Sequence, residues 1–179
     1  DGVPAGDWTA QEEPGQVVYS SADDGHLYRI EAVPGAAPED LSEALDALSP
    51  GADVWVNVSP NGAWLLVGTE RFGCDGWACG VRVPADLSAG EVIAPEGGGP
   101  IHPEFSAISD DGALVVYREE TDDGAALFAV RRGAGGWGKP LLLSGDSGFP
   151  WNELPSISEA GDKVLFGCGP TPYSQEGTS

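Results

Sequence analysis

Val58-Ser59-Pro60-Asn61-Gly62 runs into the apolar stretch Trp64-Leu65-Leu66-Val67, and the phrase returns twice. The second copy is Ile108-Ser109-Asp110-Asp111-Gly112 before Leu114-Val115-Val116-Tyr117; the third is Ile157-Ser158-Glu159-Ala160-Gly161 before Val164-Leu165-Phe166. Serine at the first turn position, Pro or Asp at the second in two copies, and Gly at the fourth suit a type I turn between two strands. A weaker copy comes earlier, Glu12-Glu13-Pro14-Gly15 before Val17-Val18-Tyr19. The four glycines stand 47, 50 and 49 residues apart. A fixed period of this size, holding several strands, predicts an all-β chain built as a β-propeller of four-stranded antiparallel blades.

Working outward, each period divides into short strands. The first unit predicts a hairpin, residues 16–20 and 26–32, turned at Ser21-Ala22-Asp23-Asp24-Gly25. Residues 34–49 place Leu41, Ala44, Leu45 and Leu48 at helical spacing after Pro38-Glu39-Asp40, which predicts a short surface helix; an outer strand followed by a loop competes. The second unit predicts strands at 53–58, 63–68, 80–83 and 91–94, the third at 104–108, 113–118, 125–131 and 140–143, the last at 154–157 and 163–167. Residues 133–138 read as a turn holding Trp137, and residues 168–179 read as loop. The runs after each turn are apolar at consecutive positions, as in strands covered on both faces.

Pro155-Ser156-Ile157-Ser158-Glu159-Ala160-Gly161-Asp162-Lys163-Val164-Leu165-Phe166 resembles the WD40-like (PD40) repeat of TolB-like propellers, and the two earlier turns are close variants. Val56 and Ser106 stand where that repeat carries its proline. The resemblance spans most of residues 11–167 and implies a fold, not one activity: such propellers serve as periplasmic binding scaffolds and as gating domains of peptidases and lyases. It also implies six or seven blades. The units fall near 8–50, 51–98, 99–148 and 149–179, the last incomplete, so the single domain of 179 residues supplies about 3.5 blades. The expectation is therefore half of a ring, completed by a second polypeptide segment. A four-bladed ring closed by residues 1–7 is the competing arrangement.

Composition bounds the partners. Eight basic residues against 29 acidic ones give a formal charge of −21. Such a surface repels nucleic acid and anionic lipid, and welcomes cations and basic proteins; solubility alone also explains it. No apolar run is long enough for a membrane span. Cys74 and Cys79 bracket a four-residue loop and predict a disulfide, hence an extracytoplasmic location, whether periplasmic, cell-surface or secreted. A metal pair is the alternative for these two. Cys168 is left over, which points to a disulfide with the completing polypeptide or a free thiol.

In a propeller, the segments entering the innermost strands converge on one mouth. Here they carry Asp53, Trp55, His102, Glu104, Trp151, Asn152 and Glu153, the candidate ligand-binding set. Glu104, Glu153 and His102 are the candidate metal ligands, for Ca²⁺ or, through the imidazole, a softer ion. Solvated acids and a tryptophan that seals two blades are the plainer readings. Ser21-Ala22-Asp23-Asp24-Gly25 and Ser144-Gly145-Asp146-Ser147-Gly148 resemble the Asp-box of sialidase-like propellers but lack its threonine and read as turns. No nucleophile elbow, P-loop or His-Glu-x-x-His occurs. The expected function is a scaffold binding a protein or small molecule. The alternative is part of a propeller hydrolase or lyase with a metal or acidic site at the mouth.

Overall fold

The computed structural model describes residues 15–21, 23–74, 78–102 and 105–172. The chain is all-β apart from one short helix. β1 (Gln16–Ser20) and β2 (Leu27–Glu31) form the expected hairpin, in register from Gln16 opposite Glu31 to Ser20 opposite Leu27. Both readings of the next segment hold part of the truth: β3 (Glu39–Asp40) pairs with β2, and α1 (Leu41–Leu48) follows at once. Asp40 caps the helix by accepting the Glu43 amide. Leu41 and Leu45 are buried, whereas Ala44 and Leu48 are exposed, so the apolar stripe is narrower than the spacing suggested.

The second sheet has the order β4 (Asp53–Val58), β5 (Trp64–Thr69), β6 (Cys79–Pro84), β7 (Glu91–Val92). The third is seven-stranded: β8 (Ser106–Ile108), β9 (Leu114–Thr121) and β10 (Gly124–Gly133) run in order, β11 (Gly136–Trp137) and β12 (Leu141–Leu142) both pair with β10, and a further hairpin joins the other edge of β10 through one parallel bridge. Trp137 therefore lies in a strand and not in a turn, because β10 runs on past Arg131 and folds back on itself. The last unit is the hairpin of β13 (Trp151–Ile157) and β14 (Val164–Gly169). β13 begins earlier than expected, as the Ala125 amide donates to the Pro150 carbonyl and sets one parallel bridge between Ala125 and Trp151. Cys168, expected in a loop, is in β14 opposite Asn152.

The repeated turn is built the same way three times. The amides of Gly62, Gly112 and Gly161 donate to the carbonyls of Ser59, Ser109 and Ser158 at 2.8–2.9 Å. All three glycines have positive φ, 73°, 64° and 66°. Each serine hydroxyl accepts the amide five residues on, from Trp64, Leu114 and Lys163 at 2.9–3.1 Å. Asn61 and Asp111 take the serine proton in the first two copies; the third has Ala160 at that position, and Asp162 takes it instead.

The strands after the first two turns, β5 and β9, divide their side chains between two cores. Leu65 and Val67 lie in a core with Leu27, Leu41 and Leu45 of the first unit, and Val18 packs against it. Leu66 lies in a second core with Val115 and Tyr117 of β9. Val116 turns the other way, into a third core with Ile157, against which Val164 packs. In step with this, β1 touches β4, β4 touches β8, and β8 touches β13.

Candidate functional site

Asp53 opens β4 with its side chain fully buried. The Arg71 guanidinium grips it with two bonds of 2.9 Å, Nε to Oδ1 and Nη2 to Oδ2. The Ser42 hydroxyl donates to Oδ2 at 2.5 Å and itself accepts the Leu27 amide. Nη1 of Arg71 donates to the Asp46 carboxylate and to the Ser49 carbonyl. Burial works against the charge on Arg71, but the two aspartates outweigh it and hold the guanidinium protonated. Asp53 thus ties α1 to the second sheet, with both its oxygens engaged. Trp55 is half-buried against the second core, its indole over Gly68 with no room for a Cβ there. His102 is exposed, its Nδ1 3.1 Å from the Ala78 carbonyl.

Trp151 and Glu153, two residues apart on β13, share a face and line an open cleft of about 190 Å³ together with Cys168 and Thr171. Behind them Arg118 lies 5.5 Å from the Phe105 ring and 5.7 Å from the Trp151 ring, a cation between two aromatic faces. Its Nε is 3.5 Å from a Glu153 oxygen, and its Nη2 is 3.3 Å from Glu120. The Glu153 side chain, 7% exposed, is therefore charge-compensated at the cleft wall. Asn152 points the other way and donates its amide to the Ala125 and Phe149 carbonyls at 3.1 Å. What the cleft presents is an indole and a paired carboxylate, a surface suited to an aromatic or cationic group.

The predicted set is thus dispersed. Trp151 and Glu153 come together; Asp53 belongs to the helix brace, and His102 stands by the Cys74–Cys79 loop. Glu104 lies outside the described residues. Among the described residues, no three His, Cys, Asp or Glu side chains are placed to hold a metal ion together. Cys74 and Cys79 form the expected disulfide, their Cα atoms 5.7 Å apart, and Cys168 is free and exposed.

Sequence reasoning overlooked Arg71 and Arg118. Their signal was scarcity: the chain has six arginines, and every one faces a carboxylate in the structure. A further cluster lies on the first sheet. His26 Nδ1 is 2.7 Å from Asp40, and the Tyr28 hydroxyl donates to Asp24 at 2.8 Å. Donating to the Asp40 carboxylate raises His26 above its ordinary value. The His26 amide, with the Tyr28 hydroxyl, lowers Asp24 to about 2, and Asp24 in turn pushes Tyr28 up to about 12.

No family model matches the chain, and no curated protein matches it.

Proposed function

We propose that this chain is an arc of an exported TolB-like β-propeller that acts as a scaffold for a protein or small-molecule ligand. The observation that carries the reading is the sharing of cores. Leu65 and Leu66, or Val115 and Val116, are neighbours in sequence but belong to different cores, one with the unit before and one with the unit after. Radially stacked blades have this arrangement, whereas a two-layer sandwich encloses one core between its sheets. The strands before the three repeated turns, β4, β8 and β13, touch in succession, β4 with β8 and β8 with β13, as strands at the inner wall of a ring would. The disulfide supports an oxidising compartment. The Trp151–Glu153 cleft is the docking place, because it joins an aromatic face to a fixed charge pair at the inner strand of the last unit. The ring is completed by further polypeptide beyond the described arc.

The test is capture by the intact protein in extracytoplasmic extract, comparing wild type with Trp151→Ala, followed by gels run with and without reductant and intact mass of each band. A partner retained by wild type and lost by the variant supports the cleft. A second polypeptide freed only by reductant identifies Cys168 as a link to the completing segment. Identical capture by both proteins removes the cleft from the reading.

A further inference from the structure

The repeated turn holds a reactive pair in its first copy. Asn57, Asn61 and Asn152 are the asparagines of the chain, and Asn61 alone precedes a glycine. An asparagine carboxamide is an electrophile that the next backbone nitrogen can attack, and a following glycine puts no Cβ in the way. Asn61 is exposed, and a Cβ built on Gly62 would meet nothing within 4 Å, so the approach is open. Asn57 is followed by the β-branched Val58, whereas Asn152 is 3% exposed and donates its amide to two carbonyls.

Asn61 is also the residue that joins one turn to the next. Its backbone amide donates to Asp110 Oδ1 at 2.8 Å, and its Nδ2 donates to the Asp110 carbonyl at 3.3 Å. Its Oδ1 serves its own turn, accepting the Ser59 hydroxyl and the Ala63 amide, both at 2.9 Å. The second copy has Asp111 in this place, and one Asp111 oxygen accepts the same two kinds of donor, the Ser109 hydroxyl at 2.5 Å and the Ala113 amide at 2.9 Å. The turn therefore accommodates a carboxylate as well as a carboxamide. The onward link differs. Where Asn61 meets Asp110 in the first pair of turns, the corresponding residues of the second pair are Asp111 and Glu159, both acidic. Those two turns line an open cleft of about 140 Å³, with Arg131 4.0 Å from Asp111.

We propose that Asn61–Gly62 is a site of spontaneous deamidation, and that the acid formed there unlatches the turn of residues 59–62 from that of residues 109–112. The Gly62 nitrogen attacks Cγ of Asn61 and closes a cyclic imide; the Cγ–Nδ2 bond breaks, and ammonia leaves with the proton of the attacking amide. Water then opens the imide at either carbonyl, giving aspartate or isoaspartate. The Gly62 amide is held by the Ser59 carbonyl at 2.9 Å and Oδ1 by the Ser59 hydroxyl, so attack waits for the turn to open. Aspartate keeps the bonds within the turn, as Asp111 does. It has no proton for the Asp110 carbonyl, however, and it sets a second negative charge beside the Asp110 carboxylate. Isoaspartate adds a main-chain methylene and dismantles the turn as well.

The intact protein is held in mildly alkaline buffer and followed by intact mass and peptide mapping, beside the same chain unfolded in urea. Aspartate and isoaspartate are expected at position 61, more slowly than in the unfolded chain, while Asn57 and Asn152 remain amides in the folded protein. Asn61→Asp supplies the aspartate product directly, and amide exchange by NMR reads the latch in it. Protection of the residue 61 amide is expected to fall roughly fivefold, the size of one exposed hydrogen bond, with that of Gly62 kept. Adding Asp110→Asn removes the facing charge and still offers an oxygen, so protection at residue 61 returns. A position 61 that is still an amide in the folded protein when the unfolded chain has converted in full overturns the modification site. Undiminished protection of residue 61 in Asn61→Asp, or a double variant without recovery, overturns the unlatching.

Discussion

Replacing Arg71 with Met isolates the brace between α1 and the second sheet. The guanidinium gives Asp53 two bonds of 2.9 Å in a place where the Asp53 side chain is 0% exposed and that of Arg71 2%. Methionine fills much of the volume but leaves a buried carboxylate with the Ser42 hydroxyl as its remaining side-chain donor. Breaking a buried pair from one side costs about 3–5 kcal/mol, because the remaining charge stays desolvated. For a domain of this length, that lowers the melting temperature by roughly 10 °C. The assay is urea unfolding followed by tryptophan fluorescence, with stability taken by linear extrapolation. Asp53→Asn in the same background removes the stranded charge, so the double variant is expected to be more stable than Arg71→Met alone. Asp46→Ala serves as the outer control: its side chain is 55% exposed, and its loss is expected to stay within about 1 kcal/mol. A loss below about 1 kcal/mol for Arg71→Met, the size of a surface pair, would refute the brace. So would a double variant no more stable than the single one.

Gly112→Val is expected to destabilise by about 2–5 kcal/mol, adding a left-handed backbone penalty to a clash with the Trp64 indole. Gly62→Ala meets open space at a similar φ, and equilibrium unfolding should show only the backbone part, about 1–2 kcal/mol. Removing the disulfide with Cys74→Ala and Cys79→Ala frees a loop of sequence separation 5, and calorimetry should show a loss of about 2 kcal/mol. The raised His26 adds stability that is complete below its unfolded value near 6.5 and is lost as pH rises through its folded value. Unfolding curves at stepped pH should show that decline in wild type and a flatter profile in His26→Gln.

Local chemistry made the strands and turns legible. Serine, a helix-disfavouring second residue in two copies, and a glycine free to take positive φ specify the repeated turn within five residues, and the structure builds it so at all three places. The helix face was harder to delimit, because Leu48 continues the spacing of Leu41 and Leu45 yet stays 41% exposed. The early start of β13 was hidden, since its cause is a bond from Ala125, some 26 residues away in sequence from Trp151. Of the candidate site, Trp151 and Glu153 were legible as neighbours on one strand face. Asp53 was not legible as a brace residue: a carboxylate reads alike in a sequence whether it awaits a ligand or is held by Arg71, and the distinction lies in contacts across 18 residues.

Because each middle strand serves the unit on either side, no unit owns a complete interior. The molecule behaves thermodynamically as a row of coupled links, each stable on condition that its neighbours are in place. Among the described residues the first and last units have one such neighbour in place of two, and opening is expected to begin there and work inward. Amide protons along β5 and β9 should be the last to exchange, and those of β1 and β14 among the first. Whatever seats itself on either end would slow exchange across the whole row, so occupancy at one rim is felt at the other through shared packing, with no change of shape required.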